Sequence, residues 1–196
     1  MESTTLVFEQ CLGWRGLLAE GHPTNFRYLL QNRPHTVNLQ LAICPAGQRA
    51  VLFQGETAVA HAVKAPARAR GTEVACGDLG RTLVALRVHR IDFATIDVEG
   101  HEVEATEALL NAKGLSIGVV LVEVRADGGR PRVMELLLGA GFRYAGQLAA
   151  RSTSANDVVD DCYFNVSHLR SHWPCSRALK ELDGVVDSAC HGVPPP

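Results

Sequence analysis

Residues 93–102, FATIDVEGHE, decide how this chain is read. An apolar run ends at Ile96 and passes directly into Asp97, Glu99, Gly100, His101 and Glu102. The run predicts a strand over 91–98, Gly100 a sharp turn, and the acids a helix opening near Glu102, where the helix dipole favours negative charge. In an open α/β sheet, chemistry collects at the carboxyl ends of strands, which would put Asp97 and Glu99 on a functional rim. The same residues also suit a plain cap on a solvated, acid-rich helix start.

Strand-like and helix-like runs alternate on both sides of this segment. Upstream, GLLA at 16–19 reads as a strand ending at Glu20, and Pro23 opens a helix with Phe26, Leu29 and Leu30 on one face, stopped by Pro34. NLQLAI at 38–43 reads as the next strand, and Pro45, Gly47 and Gly55 break the adjoining stretch into turns. Residues 54–70 mix alanines with Pro66, Lys64, Arg68 and Arg70, and are read as an excursion without an assigned element. Leu79, Leu83 and Leu86 follow helical spacing into the strand at 91–98.

Downstream, Val103, Thr106 and Leu110 share a helix face, with Lys113 at its end and Gly114 as its cap. IGVVLVEV at 117–124 is a nearly continuous apolar run, as expected of a strand covered on both faces. Pro131 starts a helix through Val133, Met134, Leu137 and Leu138, closed by Gly139 and Gly141. Residues 142–145 and 162–166 are expected to form an antiparallel pair. The alternation predicts an α/β three-layer sandwich over 1–166, with 167–196 as a less regular tail packed outside it and holding a short helix at 176–182.

Composition narrows the class of function. The 196 residues are 46% hydrophobic, enough for one core, and the formal net charge of -2 gives no electrostatic pull toward nucleic acid or an anionic membrane. No block of Lys and Arg makes a local footprint, so a small-molecule partner is expected. No stretch reaches the roughly 18 apolar residues of a membrane span, and MESTTLVFEQ lacks the basic start of a secretion signal, which makes the cytosol the default compartment. The sequon Asn165-Val166-Ser167 has meaning only in a secreted chain. Six cysteines without a CxxC pair suit reduced, packed thiols better than a disulfide scaffold, with a C-terminal disulfide as the exception.

Three acids stand at expected strand ends. Glu20, before His22-Pro23, sits where a carboxylate accepts hydrogen bonds from two vicinal ribose hydroxyls, a role that fits several nucleoside cofactors; the alternative is an ordinary surface acid. Asp97, Glu99 and His101 share one turn, where close carboxylates push a pKa upward and suit proton transfer. Glu123 is the third acid, and together they outline a polar cleft. His168, His172, Cys175, Cys190 and His191 have the composition of a zinc set but not its spacing, so no metal is expected. No GxSxG, HExxH, Walker loop or CxxC motif occurs.

Two segments in order carry a family resemblance. LGWRGLLAEGHPTNFRYLLQNRP at 12–34 resembles LGWxGxxxEPxPxxFxxLxxNRP, and IDFATIDVEGHEVEATEALL at 91–110 resembles IDFLxxDVEGxExxVLxG, both of the FkbM-type methyltransferases that use S-adenosylmethionine. The resemblance implies a Rossmann-like three-layer sandwich with a mostly parallel sheet, a C-terminal antiparallel β pair and transfer of a methyl group to a hydroxyl of a sugar or other small molecule. By it, Glu20 would hold the cofactor ribose, Ala42 and Ile43 would line the adenine pocket, and Asp97, Glu99 and His101 would border the acceptor. Departures accompany it. The family's glycine-rich DxGAxxG turn has no counterpart here, so the first strand is expected to be missing, Gly21 replaces a proline, and Glu107-Ala108-Leu109 replaces a glycine. Hence the alternative of a catalytically inactive methyltransferase-like remnant serving as an interaction module. An NAD-dependent enzyme shares Glu20 and ranks behind both.

Overall fold

The computed structural model describes residues 5–44, 47–54, 61–63, 71–125, 129–150 and 158–172. The chain opens with α1 (Leu6–Leu12), then β1 (Leu17–Glu20), α2 (Pro23–Asn32) and β2 (Val37–Gln40). Pro23 occupies the first turn of α2, where a missing N–H is harmless. β1 and β2 pair in parallel, Leu17 against Val37 through Glu20 against Gln40. Arg33, at the end of α2, is almost fully buried and reaches back to Glu9 of α1 at 2.7 Å, while Thr36 donates to the same carboxylate at 2.7 Å. These contacts hold α1 against the first strand–helix unit.

A second sheet is built from residues 50–54, 61–63 and 72–75. β3 (Ala50–Gln54) lies between β4 (His61–Val63) and β5 (Thr72–Ala75), antiparallel to both. Val51 and Leu52 of β3 are buried. The alanines of this stretch favour helix, but alternation around Val51, Phe53 and Val74 prevails once the strands pair.

The remaining elements form the main core. α3 (Leu79–Ala85) is capped by Asp78, whose carboxylate accepts from the Arg81 N–H at 2.9 Å. β6 (Arg90–Ile96), α4 (Glu102–Leu110), β7 (Ser116–Arg125), α5 (Arg130–Gly139), β8 (Phe142–Ala150), β9 (Val158–Asn165) and α6 (Val166–His172) complete the described elements. The third sheet runs β6-β7-β9-β8, with β6 and β7 parallel and β9 antiparallel to both of its neighbours. Val120, Val122 and Val124 of β7 pack with Ile96, Leu109, Val133, Leu137 and Tyr163 in one cluster, against which Leu17, Leu41 and Ile43 also lean.

The expectation of a Rossmann-like sandwich with one mostly parallel sheet is overturned. The strands fall into three small sheets, and four of the six strand pairings are antiparallel. No ladder of hydrogen bonds joins the β1–β2 pair to β6 among the described residues. The physical reason lies in β3, β4 and β5, which pair among themselves with β3 in the middle, and in β9, which takes the flank of β7 in the opposite sense.

Two further expectations change. Cys44 and Cys76 form a disulfide, with Cα atoms 5.7 Å apart, while Cys11 and Cys162 are free thiols. Residues 166–172 are helical, and His168 and Leu169 are buried. The helix expected at 176–182 and the C-terminal cysteines Cys175 and Cys190 lie outside the described residues. No helix among those described is long and apolar enough to cross a membrane.

Candidate functional site

The acids at the strand ends converge where β1, β6 and β7 finish. Glu20 closes β1, Asp97 comes directly after the last residue of β6, and Glu123 stands near the end of β7. β9 adds Asp160, directly opposite Glu123 in the antiparallel register. A like charge facing a like charge across a ladder is destabilising unless one of the pair takes up a proton. Removal from water pushes the Glu123 carboxyl up to about 7, helped by the negative charges of Asp97, Asp160, Glu99 and Glu102.

Asp97 is exposed at the mouth of the cluster. Loss of hydration against the cleft walls raises its carboxyl above the usual range, with Glu99, Glu102, Asp160 and Glu20 adding to the shift. The Glu20 charge is the smallest of these contributions and comes from a strand of a different sheet. Glu20 is half-buried, and its Oε1 accepts the backbone N–H of His22 at 2.7 Å. Burial raises its carboxyl too, against the lowering effect of backbone donors at His22 and Gly21. A carboxylate has about four lone-pair sites, so two backbone donors leave it room for a ligand hydroxyl.

The DVEG turn has the conformation that its glycine suggests. Gly100 has φ 107°, and Glu99 itself sits at φ 52° in the left-handed region, a placement costing an L-residue about 1–2 kcal/mol. Glu102 Oε1 accepts the Gly100 N–H at 2.7 Å and steadies the turn. His101 precedes α4 without capping it, and its buried Nδ1 has no hydrogen-bond partner among the described residues. Strain at Glu99 and an unmatched nitrogen at His101 are both features that a packed helix start does not require.

Ala42 and Ile43 are placed differently from the acids. Ala42 is buried, bridges Cys76, and its carbonyl accepts the Gly77 N–H at 2.9 Å; Ile43 leans on the core and keeps part of its surface exposed. The Cys44–Cys76 disulfide lies next to both. Phe53 of β3 covers Gly21, where a Cβ would come within 2.6 Å of its ring, and meets the His22 ring edge-on at 5.6 Å.

Comparisons with family profiles, with curated proteins and with solved structures found no match. The site therefore rests on its own chemistry. The structure brings together Glu20, Asp97, Glu99 and Glu123, and sets Ala42 and Ile43 just beyond the end of β2. Asp160 was missed because the adjacent acids Asp160 and Asp161 break the apolar run of the strand at 158–165 directly after Val158 and Val159; its pairing with the IGVVLVEV run is what places it at the rim. No group of three or more His, Cys, Asp and Glu side chains suited to a metal occurs among the described residues.

Proposed function

We propose that this acidic cleft binds hydroxyl-bearing small molecules, and that the chain is an S-adenosylmethionine-dependent methyltransferase of the FkbM type acting on a hydroxyl of a sugar or similar acceptor. The observation that carries the reading is the placing of Glu123 near the end of β7 directly opposite Asp160, where burial and the charges of Asp97 and Asp160 push its carboxyl up to about 7. Such a group exchanges a proton near neutrality, while its neighbours are suited to accept hydrogen bonds from an acceptor.

The residues fit the nucleoside part of that cofactor in one respect: Glu20 retains lone pairs for ribose hydroxyls after accepting from His22. S-adenosylmethionine supplies an electrophilic methyl group when bound. Asp97, exposed at the mouth, would anchor the acceptor hydroxyl, and Glu123 would take up its proton as the oxygen becomes a nucleophile. Glu99, held in its strained turn, would fix the approach.

Phe53 favours a second reading. Its ring fills space over Gly21 beside Glu20, as it would in an inactive relative that serves as an interaction module. Titration calorimetry with S-adenosylmethionine and S-adenosylhomocysteine separates the two. Binding that is lost in Glu20→Ala supports the enzyme. No heat at millimolar ligand with a folded chain overturns it, and a partner pull-down unaffected by Asp97→Asn and Glu20→Ala then supports the module.

A further inference from the structure

The opposite end of the β6–β7 pair holds a second constellation. Ser116 begins β7, Asp92 lies near the start of β6, and His168 comes from α6. Ser116 Oγ is 2.8 Å from His168 Nδ1, and His168 Nε2 is 3.1 Å from Asp92 Oδ1. Ser116 and Glu123 are seven steps apart on one strand, so this group sits about 23 Å from the acidic rim.

The hydrogen-bond logic fixes the polarity. An Asp carboxylate accepts and does not donate. The other oxygen of Asp92 is engaged by Arg90 Nε at 3.1 Å, so Nε2 carries the imidazole proton toward Asp92. Nδ1 is then the acceptor, and the Ser116 hydroxyl donates to it. Nucleophile, base and orienting acid are arranged in that order, which is a matter of roles and not of chain position.

The seat of the imidazole is built into β7. Gly118 interrupts an apolar strand, and a Cβ there would lie 2.8 Å from His168 Cδ2 and 2.7 Å from the Asp92 carbonyl oxygen. The His168 side chain is 1% exposed, and the His172 ring stacks on it at 4.4 Å. The ring is held between strand and helix, as a base needs to be.

A cavity of about 330 Å³ opens beside the pair, lined by both Ser116 and His168. Leu110, Leu115 and Phe142 line one part of it, and Asn165, Ser167 and Ser171 give it a mostly polar surface. Asn165 Oδ1 accepts the His168 backbone N–H at 3.2 Å, which leaves the amide nitrogen to donate.

We propose that Ser116, His168 and Asp92 form an acyl-transfer site that hydrolyses small carboxylic esters. Ser116 Oγ attacks the ester carbonyl carbon while His168 Nδ1 takes the hydroxyl proton, and the Asn165 amide donates to the oxygen that gains charge. The carbon–oxygen bond to the alcohol breaks, and the alcohol leaves with the proton held by His168. Water then attacks the acyl-serine, His168 takes its proton and returns it to Ser116 Oγ, and the carboxylic acid departs.

The test uses the full chain with a fluorophosphonate probe and p-nitrophenyl butyrate. The expected result is probe mass on the peptide containing Ser116 and ester turnover above the buffer rate. Ser116→Ala, which removes one atom at a partly exposed strand start, abolishes both. His168→Gln slows labelling about 100-fold or more. Should that variant misfold, Asp92→Asn gives the same comparison, because its amide no longer selects the Nε2–H tautomer. Absence of probe on Ser116 in the folded wild type overturns the site, as does labelling of equal rate in a folded His168→Gln or Asp92→Asn. Neither readout depends on the acidic rim, so this proposal and the methyltransferase reading fail separately.

Discussion

Glu123 shows how one side chain can tie a site to the stability of the whole fold. Its carboxyl titrates at about 7 in the folded chain, against 4.5 for an unperturbed Glu. The folded state therefore holds the proton more tightly than the unfolded state. Stability is greatest below about 4.5 as far as this group is concerned, and falls as pH rises through 7. The loss is about 1 kcal/mol once solvent screening of a partly exposed group is allowed for. Asp97 and Glu20 shift in the same direction and add to the slope. Urea denaturation at pH 5 and pH 8 checks this: Glu123→Gln should flatten the difference and raise the pH 8 midpoint. Gly118 makes a second residue-scale prediction. Gly118→Ala places a Cβ against the Asp92 carbonyl and the His168 ring, and should cost about 1–3 kcal/mol of stability in the same measurement.

At the scale of elements, α5 and β9 are locked by a buried charge. Asp161 is fully buried and accepts from Arg130 Nε at 2.6 Å, Arg130 Nη2 at 3.0 Å and Tyr144 Oη at 3.0 Å. Arg130→Ala strands that carboxylate without a cation and should cost about 3–5 kcal/mol, read from the denaturation midpoint. Arg132, in the same helix but paired with Glu107 and Glu135 on the surface, should leave the midpoint unchanged when replaced by Ala. Periodicity made many of the elements legible: α2, α3, α4, α5 and β7 start or end within a few residues of their sequence signals. The sheet of β3, β4 and β5 was not legible, because its strands are only three to five residues long and pairing is what makes them strands. Nor was α6, which carries too few apolar residues to show a stripe. His168 was legible only as a zinc candidate, since Ser116 and Asp92 are distant in sequence. Gly118 within IGVVLVEV was the visible trace of its seat.

For the whole molecule, the Cys44–Cys76 disulfide closes a loop over a separation of 32 residues and fastens the end of the first parallel pair to the strand before α3. Loop-closure entropy for that length corresponds to about 3–4 kcal/mol. Reduction, or the pair Cys44→Ser and Cys76→Ser, should lower the thermal midpoint, and scanning calorimetry with and without reductant checks it. The rim acids were legible as strand ends, but the way the strands divide into three sheets was not, because sequence alternation says nothing about which edges join. One contact gives a means of watching this arrangement. Phe8 of α1 stacks on Trp14 at 5.0 Å and touches Phe93 of β6 at 5.1 Å, bridging the first unit to the main sheet. With the second tryptophan removed as Trp173→Phe, Trp14 becomes an optical gauge: its emission colour reports, in real time and without a label, whether the opening helix stays seated while either end of β6 is being filled.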